Sequence, residues 1–442
     1  MASTIILHGY SDTYTSFRPL RDFLGAQGFA VTDILLANYV SMEDNLTIQD
    51  LAKAFAAALA AQKVEEPFNL IVHSTGALVA REWLARFYLE AGKACPLTRL
   101  LMLAPANFGS PLAGLGKTMF GRVIKGWESN FQTGTHILDA LEMGSAYSWA
   151  LAQRDLFGGR SFFRPEVCLT AVFVGTQPYN AGFRQLVDKP GTDGTVYVCT
   201  ANLNATCVRA RFKEDGQAPE VEQIASAAAP IAFRVFNDRD HGSITRPDQG
   251  PASLGKEIVQ FLRVEQAGYA AFSAYCQGEV AATFQNPRDE NTHQYENLVA
   301  HVSDDLGMAV DDYFMEFYEA PLKGEVDDPE AAPDALMVDM HTQIMEAVHP
   351  YQKDKSYRSL IFDITDLDAK LQGRTLALSL SAAGHGQYIT YAGTTLTNIG
   401  EIELKAGSAT MAQFRRPNET LLLDVRLERV AERSVMGFPP LA

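Results

Sequence analysis

The chain has 442 residues, 47% apolar and 20% charged, a composition that fits packed globular structure and excludes wholesale disorder. It carries 37 basic and 53 acidic side chains, a formal net charge of −16, which argues against nucleic acid as a partner because phosphate binding needs basic patches. The excess is uneven: residues 1–265 hold 26 acidic and 24 basic side chains, a net of −2, and residues 266–442 hold 27 and 13, a net of −14. Two units with different jobs are therefore expected, one over 1–265 and one over 266–442.

In chain order, Thr4–Leu7 reads as a short strand ending in His8-Gly9. Residues 16–28 form an amphipathic helix with Phe17, Leu20, Phe23 and Leu24 on one face. Strand 31–36, helix 47–62, strand 68–72, helix 76–91 and strand 99–103 follow. This alternation is the pattern of a parallel sheet covered by helices. Further strands are expected at 167–174, 195–200, 207–212 and 231–236, with a closing helix at 254–262.

Between Ser110 and Pro165 no strand signal occurs, and helical pieces carry many apolar residues. This insertion, about 111–165, reads as a lid or cleft cap. After residue 266 the helical signals fade. Strands are expected at 280–284, 298–302, 313–318, 335–340, 357–364, 375–380, 388–391, 401–404 and 420–427, a spacing that suggests an antiparallel, immunoglobulin-like β-sandwich. Residues 324–334 are acidic and contain proline, as in an exposed loop.

No apolar run of about 18 residues predicts a membrane span. The start lacks a basic segment followed by a cleavable apolar one, which leads to the expectation of a cytoplasmic protein, with leaderless secretion as the other route. The five cysteines, Cys95, Cys168, Cys199, Cys207 and Cys276, fit free thiols in a reducing compartment, although Cys199 and Cys207 flank a stretch short enough to pair across. No cysteine or histidine cluster has zinc spacing, so no metal and no cofactor is expected. Asp304, Asp305, Asp311 and Asp312 bracket a turn and read as solvated carboxylates in preference to a calcium site.

The most informative segment is Phe68-Asn69-Leu70-Ile71-Val72-His73-Ser74-Thr75-Gly76-Ala77-Leu78. An apolar strand runs into a serine flanked by small residues and then into a helix. A sharp strand-to-helix turn of this kind exposes the hydroxyl, and the helix N-terminus favours developing negative charge. Val72 stands where the usual Gly-x-Ser-x-Gly has its first glycine, while Gly76 keeps the second. The competing reading of Ser74 is a buried helix cap. Gly9-Tyr10 after the first strand suits an oxyanion loop, so the backbone N–H groups of Tyr10 and Thr75 are the candidate oxyanion donors. Asp193, in the turn Gly191-Thr192-Asp193-Gly194, is the candidate acid, with Asp188, Asp238 and Asp240 as rivals. His241, in the loop after strand 231–236, is the candidate base. His73 is expected to pack under the turn.

The order Ser74, Asp193, His241 in loops of an alternating β/α unit resembles the α/β-hydrolase esterases and lipases. So do Leu7-His8-Gly9, Asp193-Gly194-Thr195-Val196, Asp240-His241-Gly242 and Leu103-Ala104-Pro105-Ala106-Asn107-Phe108-Gly109-Ser110-Pro111. The resemblance covers residues 1–265 and not 266–442. It implies the α/β-hydrolase fold and carboxylic-ester hydrolysis through an acyl-enzyme, with phospholipase and acyltransferase chemistry keeping the same triad. A binding protein with an inactive hydrolase-like half is the reading from another class. The apolar insertion points to an acyl-chain or lipid-like ester as substrate and to contact with a lipid interface. Phe108, Phe120, Trp127, Phe131 and Trp149 are the candidate substrate-binding residues. The sequence assigns no partner to the C-terminal region.

Overall fold

The computed structural model describes residues 3–8, 17–34, 45–115, 134–179, 189–213, 218–247, 253–287, 290–319, 335–371, 374–384, 388–392, 398–405 and 407–431. The chain forms two compact units, one of Met1–Ala205 with Ala225–Gln294, the other of Thr206–Ile224 with Tyr295–Ala442.

The first unit is built on β1 (Thr4–Leu7), α1 (Arg18–Ala26), β2 (Val31–Ile34), α2 (Ile48–Ala61), β3 (Phe68–His73), α3 (Gly76–Leu84) and β4 (Leu97–Leu103). It continues through α4 (Thr135–Leu141), α5 (Ala146–Asp155), β5 (Leu169–Gly175) and α6 (Val198–Ala201). After the chain has made β6 (Ala205–Phe212) and β7 (Glu220–Ile224), the unit is completed by β8 (Ala232–Phe236), α7 (Ser253–Arg263) and α8 (Gln266–Thr283). A parallel sheet in the order β2-β1-β3-β4-β5-β8 forms its centre. Every residue of β3 and β5 is buried. Strands covered by helices on both faces need continuous apolar runs, and Phe-Asn-Leu-Ile-Val-His and Leu-Thr-Ala-Val-Phe-Val-Gly come close to that. At the start of α2, the Thr47 hydroxyl accepts from the Asp50 N–H while the Asp50 carboxylate accepts from the Thr47 N–H, a reciprocal cap that sets the helix start.

Of the expected insertion, α4 and α5 are helical as read, and its residues 116–133 lie outside the described residues. A buried ion pair ties α5 to α3. Arg81 donates from Nε and Nη2 to Asp155 at 2.8 and 3.0 Å and from Nη1 to the Asn107 carbonyl at 3.1 Å, with both charged side chains almost fully buried. Glu82, also buried, accepts from Arg86, Arg154 and Tyr147.

Four expectations need correction. Residues 195–200, read as a strand, form a turn and the short helix α6, because the polar Thr195 and Thr200 are used for local hydrogen bonds. Strand β6 exists, but it lies in the sheet of the second unit and not in the parallel sheet. The boundary expected at 265/266 falls after Gln294. Tyr269 of α8 donates to the Thr170 carbonyl and accepts from the Ala232 N–H, which binds this helix to β5 and β8 of the first unit. Residues 280–284, read as a strand, are the end of that helix.

The second unit adds β9 (Tyr295–Asp304), β10 (Tyr313–Glu319), α9 (Ala335–Asp339), β11 (Met345–Pro350), β12 (Tyr357–Asp363) and α10 (Ile364–Leu371). Then come β13 (Leu376–Ala382), β14 (Ile389–Tyr391), β15 (Asn398–Leu404), α11 (Ala409–Phe414), β16 (Thr420–Leu427) and β17 (Arg429–Ala431). One sheet runs β11-β12-β9-β16-β6-β7, and a second runs β10-β13-β15. The second is antiparallel throughout, whereas in the first β9 and β16 pair in parallel. Alternate residues of the strands, such as Leu298, Ala300 and Val302 on β9 and Leu376, Leu378 and Leu380 on β13, meet in one core. The region is thus β-rich as expected. Residues 335–340, read as a strand, are instead helix α9 and the start of a π turn, and α10 and α11 are further helices that the strand-only reading lacked. Among the described residues no helix is long and apolar enough to cross a membrane.

The Arg81–Asp155 pair yields a stability prediction. Arg81→Ala strands a buried carboxylate and should destabilise the first unit by about 3–5 kcal/mol, whereas Arg81→Met combined with Asp155→Leu should recover most of that loss. The midpoint of urea unfolding, followed by tryptophan fluorescence, reads both; equal losses in the two proteins would contradict the account.

Candidate active site

Ser74 lies directly between β3 and α3 with a backbone φ of 52°. Only a sharp reversal puts a serine there, and the left-handed conformation costs a residue with a Cβ about 1–3 kcal/mol. The turn is held by its neighbours: Ser74 N–H donates to the Leu103 carbonyl at 3.1 Å, and the Ser74 carbonyl accepts from Ala77 N–H at 3.1 Å. Gly76 permits the helix to start close to β1. A Cβ at this position would sit 3.0 Å from the Leu7 carbonyl oxygen and 3.2 Å from that of His8.

His241 comes from the loop after β8. Its Nε2 lies 3.0 Å from Ser74 Oγ and its Nδ1 lies 2.8 Å from Asp193 Oδ2. The tautomer that satisfies both contacts carries its proton on Nδ1, donates to the carboxylate and accepts from the serine hydroxyl. Asp193 is fully buried. Its other oxygen, Oδ1, accepts from the backbone N–H groups of Thr195 at 3.0 Å and Val196 at 2.8 Å, and its carbonyl accepts from His241 N–H at 2.9 Å. Two backbone donors on one carboxylate oxygen compensate its burial and leave the other oxygen aimed at the imidazole.

The Asp193 turn is braced in its own right. Ser110 Oγ donates to the Thr195 carbonyl at 2.5 Å, and the hydroxyls of Tyr179 and Thr195 share a hydrogen bond of 2.8 Å. The His241 loop is fixed by a close backbone approach at the end of β5. A Cβ on Gly175 would fall 1.9 Å from the Arg239 carbonyl oxygen, which also accepts from Gln177 N–H at 2.9 Å. Sequence reading missed Gly175, Ser110 and Tyr179. The one available signal was a glycine at the end of an otherwise apolar strand.

His73 donates from Nε2 to the His241 carbonyl at 2.9 Å, and the two rings lie 4.7 Å apart. It therefore sits beneath the turn and holds the His241 backbone. Of the rival acids, Asp240 accepts from the N–H groups of Gly242 and Ser243 and caps the loop, and Asp238 faces Arg239. Asp188 lies outside the described residues. Thr75 starts α3, where first-turn N–H groups have no intrahelical acceptor. Tyr10, Phe120, Trp127 and Phe131 lie outside the described residues. Trp149 is buried on α5, and Phe108 is fully buried with its ring 5.8 Å from the Arg81 guanidinium carbon, a core position with no exposed surface. Asp304 accepts from Leu306 and Met308 N–H and pairs with Arg429, so it is already engaged. None of the five cysteines forms a disulfide.

Comparison with known proteins bears on fold and family. A search of curated proteins found no match. Among solved structures, phospholipase PlaB from Legionella pneumophila is 21% identical, with a TM-score of 0.81 over 99% of this chain and 96% of that one. The same phospholipase in complex with thio-NAD superposes with a TM-score of 0.79, again at 21% identity and over 99% and 96% of the two chains. At this identity the likeness speaks to fold, and it extends through both units. The family model described as "Alpha/beta hydrolase family" matches residues 5–250, more than half of the sequence, and the chain belongs to the alpha/beta hydrolase family.

Proposed function

We propose that this protein is a serine carboxylic-ester hydrolase acting through an acyl-enzyme on an acyl-chain ester. The observation that carries the reading is the continuous relay from Ser74 Oγ through His241 to Asp193, at 3.0 and 2.8 Å, with the serine on a left-handed turn.

In this reading His241 Nε2 takes the hydroxyl proton as Ser74 Oγ attacks the ester carbonyl. The carbonyl oxygen gains the negative charge, and the Thr75 and Tyr10 N–H groups are the proposed donors to it. When the intermediate collapses, His241 returns the proton to the leaving alkoxide oxygen, the alcohol departs, and the acyl group remains on Ser74. Water then attacks by the same route and releases the acid. Asp193 keeps its negative charge throughout and stabilises the imidazolium.

Among acyl esters, a phospholipid is the substrate class we favour. The support is the full-length likeness in fold, second unit included, to a protein named as a phospholipase. Acyl transfer to an alcohol in place of water would use the same residues.

Ser74→Ala should lower kcat for p-nitrophenyl octanoate by about 10⁶-fold, and a fluorophosphonate should label Ser74 in the wild type alone. Absence of both ester hydrolysis and label would remove the proposal. Asp193→Asn should cost about 10⁴-fold in kcat, since the amide imposes the wrong tautomer on His241, while Asp240→Asn should have a far smaller effect. Gly175→Val should displace the Arg239–His241 backbone and reduce kcat by at least about 10²-fold, on the scale expected when a reacting group is misplaced by about 1 Å. Circular dichroism would establish that this variant is folded, and a folded variant with unchanged kcat would refute the bracing role.

A further inference from the structure

The cysteines are unequal: Cys168, Cys199, Cys207 and Cys276 are buried, and Cys95 alone is half-buried. Cys95 leads into β4 and Cys168 into β5, whereas Ser74 follows β3 and His241 follows β8. In a parallel sheet the first two therefore stand at the edge away from Ser74 and His241. Strand register brings them level. In β4, Thr98 is an extra residue relative to β3, for Phe68 pairs with Leu97 and Asn69 with Arg99. On the other side Arg99 pairs with Leu169. Cys168, one residue before Leu169, thus lies at the height of Leu97 on the neighbouring strand. Cys95 comes two residues before Leu97, but its Sγ accepts from Leu97 N–H, which folds the side chain back to that height. There the Cys168 thiol donates to the Cys95 sulfur.

Neighbouring strands run about 4.7–4.9 Å apart, within the Cα separation of about 4.4–6.8 Å that a disulfide spans. Both backbones are tied. Phe68 N–H donates to the Pro96 carbonyl at 3.1 Å, beside Cys95, and Cys168 N–H donates to the Arg164 carbonyl at 2.9 Å. The Thr170 hydroxyl donates to the Cys168 carbonyl at 3.2 Å. The contact also makes the two thiols chemically different. Donation from Cys168, joined by Leu97 N–H, holds the Cys95 thiol below its usual range against burial and the nearby Glu66 carboxylate. The same contact, with full burial, pushes the Cys168 thiol well up. Thiolate character combined with exposure marks the sulfur that oxidises first, and a second cysteine in contact with it captures the product.

We propose that Cys95 and Cys168 form an oxidation site for hydrogen peroxide, in which Cys95 is the reacting sulfur and Cys168 the resolving one. The Cys95 thiolate attacks a peroxide oxygen, the O–O bond breaks, and the hydroxide that leaves takes up the proton Cys95 had shed. Cys95 is then a sulfenic acid. Cys168 Sγ attacks the Cys95 sulfur, the S–O bond breaks, and the departing hydroxide takes the Cys168 proton. The two thiols have together lost two electrons to become a disulfide, and the peroxide has become two molecules of water. The disulfide halts oxidation at a stage that a dithiol reverses, before Cys95 reaches the sulfinic acid. No step uses Ser74, His241 or Asp193, so this site stands apart from the ester hydrolysis proposed above.

The test treats the full native chain with a small excess of hydrogen peroxide, removes the oxidant, alkylates the remaining thiols in denaturant with iodoacetamide, and maps the peptides by mass spectrometry without reductant. A Cys95–Cys168 peptide linked within one chain is expected, with Cys199, Cys207 and Cys276 alkylated. Dithiothreitol before alkylation should abolish the link and leave every cysteine alkylated. Cys168→Ser should hold Cys95 as a sulfenic acid that dimedone traps. Cys95→Ser, at a half-buried position, should leave Cys168 reduced, because the buried thiol depends on its partner to react. The wild-type map decides the pairing even where a variant fails to fold. Cys95 left reduced, Cys95 carried to the sulfinic acid without a link, a link between two chains, or peroxide oxidation of Cys168 in Cys95→Ser overturns the proposal.

Discussion

The left-handed turn at Ser74 is the constraint on which the first unit depends. A residue with a side chain is held at φ 52° only because its surroundings leave no alternative. The Leu103 carbonyl fixes its N–H, Gly76 lets the following helix come against the ends of β1, and the fully buried β3 cannot shift to relieve it. The same arrangement that stores the strain also presents the hydroxyl to His241. Relaxing the turn would take the serine out of reach of the imidazole.

Asp193 and His241, the proposed acid and base, are fixed by different means. Asp193 is held through its carboxylate, by two backbone N–H groups that satisfy one oxygen and leave the other free to face the ring. His241 is held mainly through its backbone: its N–H is bound by the Asp193 carbonyl and its carbonyl by His73, and Gly175 admits the adjacent Arg239 carbonyl. The imidazole thus directs one ring nitrogen to Ser74 and the other to Asp193.

Much of this was legible in the sequence, and the reasons are specific. The parallel strands announced themselves because central positions such as Leu70-Ile71-Val72 must be apolar on both faces. Ser74 and His241 stood out as candidates because Ser74 directly follows β3 and His241 lies in the loop after β8, whereas Asp193 was singled out by its turn, Gly191-Thr192-Asp193-Gly194. Helix α8 was not, since its alanine-rich sequence carries two glycines and its anchor, the Tyr269 hydroxyl bound to Thr170 and Ala232, is a contact between distant segments. Strand β6 was read as a strand but assigned to the wrong sheet, because alternation reveals a strand without naming its neighbour. The braces at Ser110 and Tyr179 depend on tertiary proximity and leave no mark in local pattern.

The route of the chain between Asp193 and His241 has a consequence for how the protein can be divided. After the acid turn the backbone leaves the first unit at residue 205, supplies β6 and β7 to the sheet of the second, and re-enters at 225 on its way to His241. Asp193 and His241 are therefore the two ends of an excursion whose middle belongs to another fold. A chain cut after Gln294 would keep every residue of the relay, yet it would carry a two-stranded ribbon stripped of β16, with an open edge free to pair with a second molecule. Isolated two-stranded ribbons are at best marginally stable in water. Neither unit is a separable module in the genetic sense: the first cannot be excised by a single cut without leaving part of the second inside it.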